Sequence, residues 1–136
     1  MKVQKQIKLT AFLFISLILN ATAVNNNLSI PDNILKAFKN GDSKALSANL
    51  STNVEMAILE KEGIYSKAQA IQVLNNFFKK YPVKKFNFIH KGGKEGCRYA
   101  IGEYFSNVEK FRITIYLKNL NEKLIIHQIR IQYDNN

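Results

Sequence analysis

Two histidines and one glutamate carry the residue types and spacings with most chemical scope in this chain. His127 stands between Ile125 and Ile129, and His90 follows Phe86 and Phe88 at the same two-residue spacing. Alternate residues of a strand share a face, so either histidine placed on an apolar face would point inward. An imidazole titrates near neutrality and could act there as acid, base or ligand-orienting donor. Glu103 shares the phase of Cys97, Tyr99, Ile101 and Phe105, and a carboxyl in an apolar row can exchange a proton with a histidine. If Glu103 and His127 converged, or if a tyrosine replaced the glutamate, the pair would suit proton abstraction or hydration chemistry. The chain would then be a cofactor-free isomerase, dehydratase or cyclase. Each residue also has a plainer reading, and those are adopted. A core histidine bonds a backbone carbonyl or a tyrosine hydroxyl, His90 borders the Gly92-Gly93 turn, and a twisted strand end turns Glu103 outward. His127, His90 and Tyr99 remain the candidates for contact with a bound ligand.

The surface candidate is a run of lysines: Lys79, Lys80, Lys84, Lys85, Lys91 and Lys94. Six amines along one edge would give weak, salt-sensitive attraction to an anionic polymer or lipid headgroup. A solvated lysine face explains the run as well. Phe86 and Phe88 interleave with it, but their phase suits a core better than base stacking. Arg98, Arg112 and Arg130 are the only arginines. Specific nucleic-acid readers lean on arginine's planar fork, so no such recognition is expected.

Composition closes other routes. Two histidines and one cysteine cannot build a Cys/His zinc cluster, and no glycine-rich phosphate loop is present. Neither metal nor cofactor is expected. Cys97 is the single cysteine, so no disulfide can form within the chain. Its phase with Tyr99 and Ile101 predicts a buried, structural thiol.

Positioning these residues falls to elements legible in the pattern. Lys2, Lys5 and Lys8, the apolar run Leu9 to Leu19 and then Ala21-Thr22-Ala23 form a cleavable secretory signal over residues 1–23. Eleven apolar residues are too few to cross a bilayer, which takes about 20. Without the three signal lysines, residues 24–136 hold 17 basic against 10 acidic residues, a charge of +7. They are expected to form one exported domain, in the periplasm or outside the cell.

Ser29-Ile30-Pro31-Asp32 opens a first helix, with Ser29 as its cap and Ile34, Leu35 and Phe38 as its apolar stripe. Gly41 stops it, and Asp42 caps a short second helix carrying Ala45, Leu46 and Leu50. Val54, Met56 and Ile58 alternate as a strand, and Glu60 to Gly63 turns the chain. Ser66-Lys67-Ala68-Gln69 is a capping box that opens a third helix. Ala70, Ile71, Leu74, Phe77, Phe78 and Tyr81 recur along it at helical spacing until Pro82 blocks continuation. Four strands follow with short turns, and one of them alternates Phe111, Ile113, Ile115 and Leu117 with Arg112, Thr114, Tyr116 and Lys118. Another alternates Ile125, His127, Ile129, Ile131 and Tyr133 with Ile126, Gln128, Arg130 and Gln132. The fold class is α+β, an antiparallel sheet with helices on one face.

Gly41 to Leu46, Glu62 to Ala70, Tyr99 to Gly102 and Phe111 to Ile113 resemble segments of an exported bacterial family, domain of unknown function 4783. That family is similar to the nuclear transport factor 2-like (cystatin-like) superfamily. The resemblance implies a curved sheet wrapped around a long helix, with a conical cavity at one end. It implies no activity. It also implies that the polar outer sheet face, with Arg112, Thr114, Tyr116, Lys118, Gln128, Arg130 and Gln132, is a surface through which two copies could pair. The reading adopted is a non-catalytic binding module, taking a small apolar or amphipathic ligand in the cone or a protein partner on the sheet. The enzyme using His127 with Glu103 or a tyrosine, and the lysine-rich anion-binding surface, stand as alternatives.

Overall fold

A computed structural model describes residues 29–136, and the expected signal over residues 1–23 lies outside the described residues. Helix α1 runs Asp32–Asn40. Pro31 itself occupies the N-cap position, where its carbonyl accepts from the Ile34 amide at 3.0 Å. Ser29, expected to cap this helix, makes no capping bond, because proline's fixed φ already sets the entry of the chain. Gly41 ends α1 at φ 60°, the left-handed conformation that costs glycine little. Asp42 Oδ1 then accepts the Ala45 amide at 3.1 Å and leads into a 3-10 helix, Lys44–Asn49. Leu46 is buried beneath it, whereas Ala45, expected on the apolar side, is exposed. Tighter 3-10 winding rotates successive side chains by about 120° and displaces Ala45 from the α-helical stripe.

Strand β1, Leu50–Ile58, buries Val54 and Met56. It returns through Leu59-Glu60 into β2, Lys61–Ser66. The alternation gave no sign of β2, and the turn comes earlier than Glu60 to Gly63, with Leu59 at φ 55°. Helix α2, Lys67–Lys80, starts on the expected capping box. The Gln69 amide donates to Ser66 Oγ at 3.3 Å, and the Ser66 amide donates to Gln69 Oε1 at 3.0 Å. Ala70, Leu74, Phe77 and Phe78 form its buried face. Strands β3, Lys85–Lys94, β4, Cys97–Phe105, β5, Lys110–Leu120, and β6, Lys123–Tyr133, follow as antiparallel neighbours.

The six strands form one curved, open sheet in the order β2-β1-β6-β5-β4-β3, with β1 and β6 parallel. Its inner face packs on α1 and α2. Phe38, Phe77, Phe78, Tyr81, Phe86, Phe88, Tyr104 and Phe111 meet there in ring pairs 4.7–6.5 Å apart. Edge-to-face contacts of this kind add to simple area burial. Among the described residues, no helix is long and apolar enough to cross a membrane.

Three local departures decide which side chains face the core. On β4 the inward row is Ala100, Gly102 and Tyr104, so Tyr99, Ile101, Glu103 and Phe105 lie on the outer face. The outer row is the more apolar of the two. The small residues face inward because the Phe86 ring lies against Gly102, where a Cβ would overlap it. Cys97, expected to be buried, is exposed. A maleimide should therefore label Cys97 in native buffer at close to the rate seen in urea. Tenfold or greater protection in the folded chain would restore the buried assignment.

The other two departures are bulges, each leaving one residue without a direct opposite. Pairing jumps from Phe88↔Gly102 to His90↔Ile101, so Ile89 is extra on β3. It jumps from Leu117↔Ile126 to Tyr116↔Gln128, so His127 is extra on β6. Each inserted residue shifts the strand's alternation and bends the sheet. His90 is moved out of the Phe86 row and is exposed. His127 is moved out of the row formed by Ile126, Ile129 and Ile131.

Candidate functional site

The interior aromatic cluster borders the hairpin end of the sheet but does not fill it. A cavity of about 550 Å³ remains there between α2, the β1–β2 hairpin and the end of β6. Met56 and Ile58 reach it from β1, Leu59 from the turn, Val73 and Phe77 from α2, and Tyr133 from β6. Tyr65 and Tyr81 complete an aromatic wall, and Glu60, Lys61, Asn76 and Lys80 add polar groups. The helical spacing that buries Phe77 sends Val73 and Lys80 to the same side of α2. The hairpin holds the facing wall. The Tyr133 hydroxyl, at the same cavity, has its pKa raised, chiefly by the neighbouring Tyr81 hydroxyl. Tyr104 donates its buried hydroxyl to the Tyr81 carbonyl, tying that tyrosine to the core.

Of the site candidates read from the sequence, Lys80 alone lines this cavity. His127 sits at the β6 bulge, and its pKa is lowered by partial burial and by the Lys118 ammonium, against a smaller opposing pull from Glu55. Glu103 lies on the outer face, with its Oε1 3.2 Å from Lys110 Nζ. The Glu103↔Arg112 and Arg112↔Gln132 pairings put two strand spacings and five residues between Glu103 and His127. That separation is on the order of 20 Å, so no proton passes directly between them.

His90 and Tyr99 do meet, with Nε2 and the phenol oxygen 3.0 Å apart, but on the exposed side of the β3–β4 hairpin. Lys110 Nζ also lies 3.1 Å from Asp134 Oδ2 as an ion pair, and Arg112 lies 3.5 Å from Asp134 Oδ1. Bonding to Asp134, and then to Glu103, holds the Lys110 ammonium above its ordinary pKa, while Lys110 holds the Asp134 carboxyl below its own.

The lysine run is spread over the molecule. Lys79 and Lys80 end α2, where cations complement the exposed carbonyls. Lys84 and Lys85 precede or begin β3, whereas Lys91 and Lys94 lie at its far end, roughly 20–30 Å from Lys85. β3 is an edge of the sheet, and charged lysines on an edge discourage pairing with other chains. On the outer face Arg112 pairs with Gln132, Thr114 with Arg130 and Tyr116 with Gln128, so the expected polar surface is continuous. Among the described residues, no group of three or more His, Cys, Asp or Glu could hold a metal ion.

The resemblance implied a cavity at one end of the cone, but its lining went unread because most of it is ordinary core vocabulary. Met56, Ile58 and Phe77 read as packing positions and Tyr133 as the end of a strand row, while Val73 and Tyr65 fell in no apolar row. The unread β2 hairpin supplies the wall that keeps them apart. The one available signal was the cluster Tyr65, Tyr81 and Tyr133, whose polar tips call for partners when buried.

The fold recurs in known structures. A DUF4783 family protein from Bacteroides ovatus is 31% identical, with a TM-score of 0.75 over 79% of this chain and 97% of its own. A DUF4783 family protein from Bacteroides uniformis is 29% identical, with a TM-score of 0.75 over 79% of this chain and all of its own. An NTF2-like protein of unknown function from Shewanella baltica has the same fold at 13% identity, with a TM-score of 0.61 over 77% of this chain and 88% of its own. No curated protein matches the chain. The model of the domain of unknown function DUF4783 matches residues 31–132, which span both α-helices and all but the last residue of the sheet, and the chain belongs to that family.

Proposed function

We propose that this domain is a non-catalytic binding module that takes a small, largely apolar molecule into the cavity beneath α2. The observation that carries this reading is the unfilled space of about 550 Å³ walled by Met56, Ile58, Leu59, Val73 and Phe77. Its size falls within the range of small-molecule sites, about 300–1,000 Å³. Apolar walls facing a gap lose dispersion contacts that a ligand restores. The residues with most catalytic scope, His127, His90 and Glu103, lie away from this space, which supports binding over turnover. With export through residues 1–23, the ligand would be met in the periplasm or outside the cell.

N-phenyl-1-naphthylamine, a neutral fluorescent probe, should brighten on binding the mature protein and raise its melting temperature. Val73→Trp places an indole in the cavity and should weaken that binding at least tenfold while the variant melts no lower than the parent. A probe that fails to bind, or binds Val73→Trp equally well, would overturn the reading. Native mass spectrometry of protein taken from its own host would then identify the natural occupant by the mass it adds.

A further inference from the structure

Resting on that reading, we infer that the cavity selects a flat aromatic-ring molecule bearing one anionic group, a carboxylate, sulfate or phosphate. The walls divide by chemistry. Tyr65, Phe77, Tyr81 and Tyr133 give four rings to one small space, and ring faces and edges favour a planar π-system over a saturated chain. The charged lining comprises Lys61 from the start of β2 and Lys80 from the end of α2, with Glu60 as the single acid.

Lys80 is exposed, but its ammonium has a defined neighbour. Its Nζ lies 5.4 Å from the centre of the Tyr81 ring, a ring only 8% exposed. That contact holds the ammonium at the cavity's edge. A lysine offers three N–H donors and no acceptor, so the complementary group is an anion. The exposed carbonyls ending α2 are negative in sign, and Lys79 and Lys80 in that last turn offset them. Lys61, on the opposite wall, is clear of that helix end. The ammonium groups, being charged, are the strongest donors this lining offers an anion.

Two probes with one ring skeleton test this directly. 8-Anilinonaphthalene-1-sulfonate is N-phenyl-1-naphthylamine with a sulfonate added. At low salt the sulfonate should bind more tightly than the neutral probe, and its advantage should shrink as salt screens the exposed lysines. Lys61→Gln and Lys80→Gln should each weaken sulfonate binding about two- to fivefold, the range for exposed ion pairs, and leave the neutral probe unchanged. If the neutral probe binds as tightly, or the lysine variants shift neither probe or both alike, the anionic preference falls and the apolar cavity reading stands. If the neutral probe does not bind, or binds Val73→Trp equally well, that reading falls and takes this inference with it. A 1-naphthoate, naphthyl sulfate and naphthyl phosphate series then ranks the three anions on a common ring.

Discussion

Gly102→Val is expected to destabilise the domain by about 3 kcal/mol, the upper end of the usual overpacking range, and to lower its melting temperature by about 12 °C or more. Gly102 lies on the inward row of β4, opposite Phe88 in the sheet register. A Cβ there would overlap the Phe86 ring and approach the Asn87 carbonyl to 3.2 Å. Phe86 cannot withdraw easily. It is 1% exposed and packs on Phe38 and Phe88 at ring separations of 5.1 Å each. The valine must displace a ring held on several sides.

Phe86→Leu makes space at a cost of its own, so Gly102→Val and Phe86→Leu together should be less damaging than the two costs added. A coupling of about 0.5–3 kcal/mol is the range for residues in contact. Urea unfolding of the four proteins measures it. A Gly102→Val protein within about 0.5 kcal/mol of the parent would behave as a solvent-facing site does, and the inward assignment of Ala100, Gly102 and Tyr104 would fail.

Tyr104→Phe is expected to cost about 1–3 kcal/mol although it preserves the ring. Tyr81 follows the last residue of α2 and precedes Pro82, so its carbonyl has no following helical amide to accept from. The buried Tyr104 hydroxyl fills that gap. Removing it strands a desolvated carbonyl, which is the costly way to lose a hydrogen bond.

The same hydroxyl gives the domain an alkaline weakness. Burial raises the Tyr104 pKa well above its ordinary value of 10.0, so the folded chain keeps this proton while the unfolded chain gives it up near pH 10. Above that pH the unfolded state binds fewer protons, and stability falls as pH rises, by up to about 1.4 kcal/mol per unit. The fall begins at the unfolded value and ends only at the higher folded one. Unfolding free energies at pH 8, 9.5 and 11 should show the parent losing stability more steeply than Tyr104→Phe, so the two curves converge at high pH. Equal slopes and equal stability at pH 8 would refute both the bond and the titration.

Much of this architecture is legible locally. The Ser66–Gln69 capping box, Pro82 and the stripe through Ala70, Leu74, Phe77 and Phe78 specify α2 without reference to the rest of the chain. On β5 the row Phe111, Ile113, Ile115 and Leu117 is entirely buried, as its alternation predicts. The strand carries one unbroken two-residue period. By contrast, hydrophobicity points the wrong way on β4. The core over that strand is already occupied by large rings, and only Ala100 and Gly102 leave them space. A side chain's fitness for the interior there depends on its neighbour's volume, which a single-strand pattern does not record.

The sequence alone determined what short-range physics controls: the capped helix, the strand-rich second half, the α+β class and, by resemblance, the family. Tertiary structure decided which side chains share a site. The extra residues at Ile89 and His127 shift the alternation of β3 and β6 because the sheet must bend, and bending is a property of the assembled sheet. That change of phase moves His90 and His127 away from the core rows. The β1–β2 hairpin, with no alternation to announce it, closes a space against α2 and the end of β6. A cavity is a relation between surfaces distant in the chain, so its existence rests on how those surfaces pack and not on any one segment.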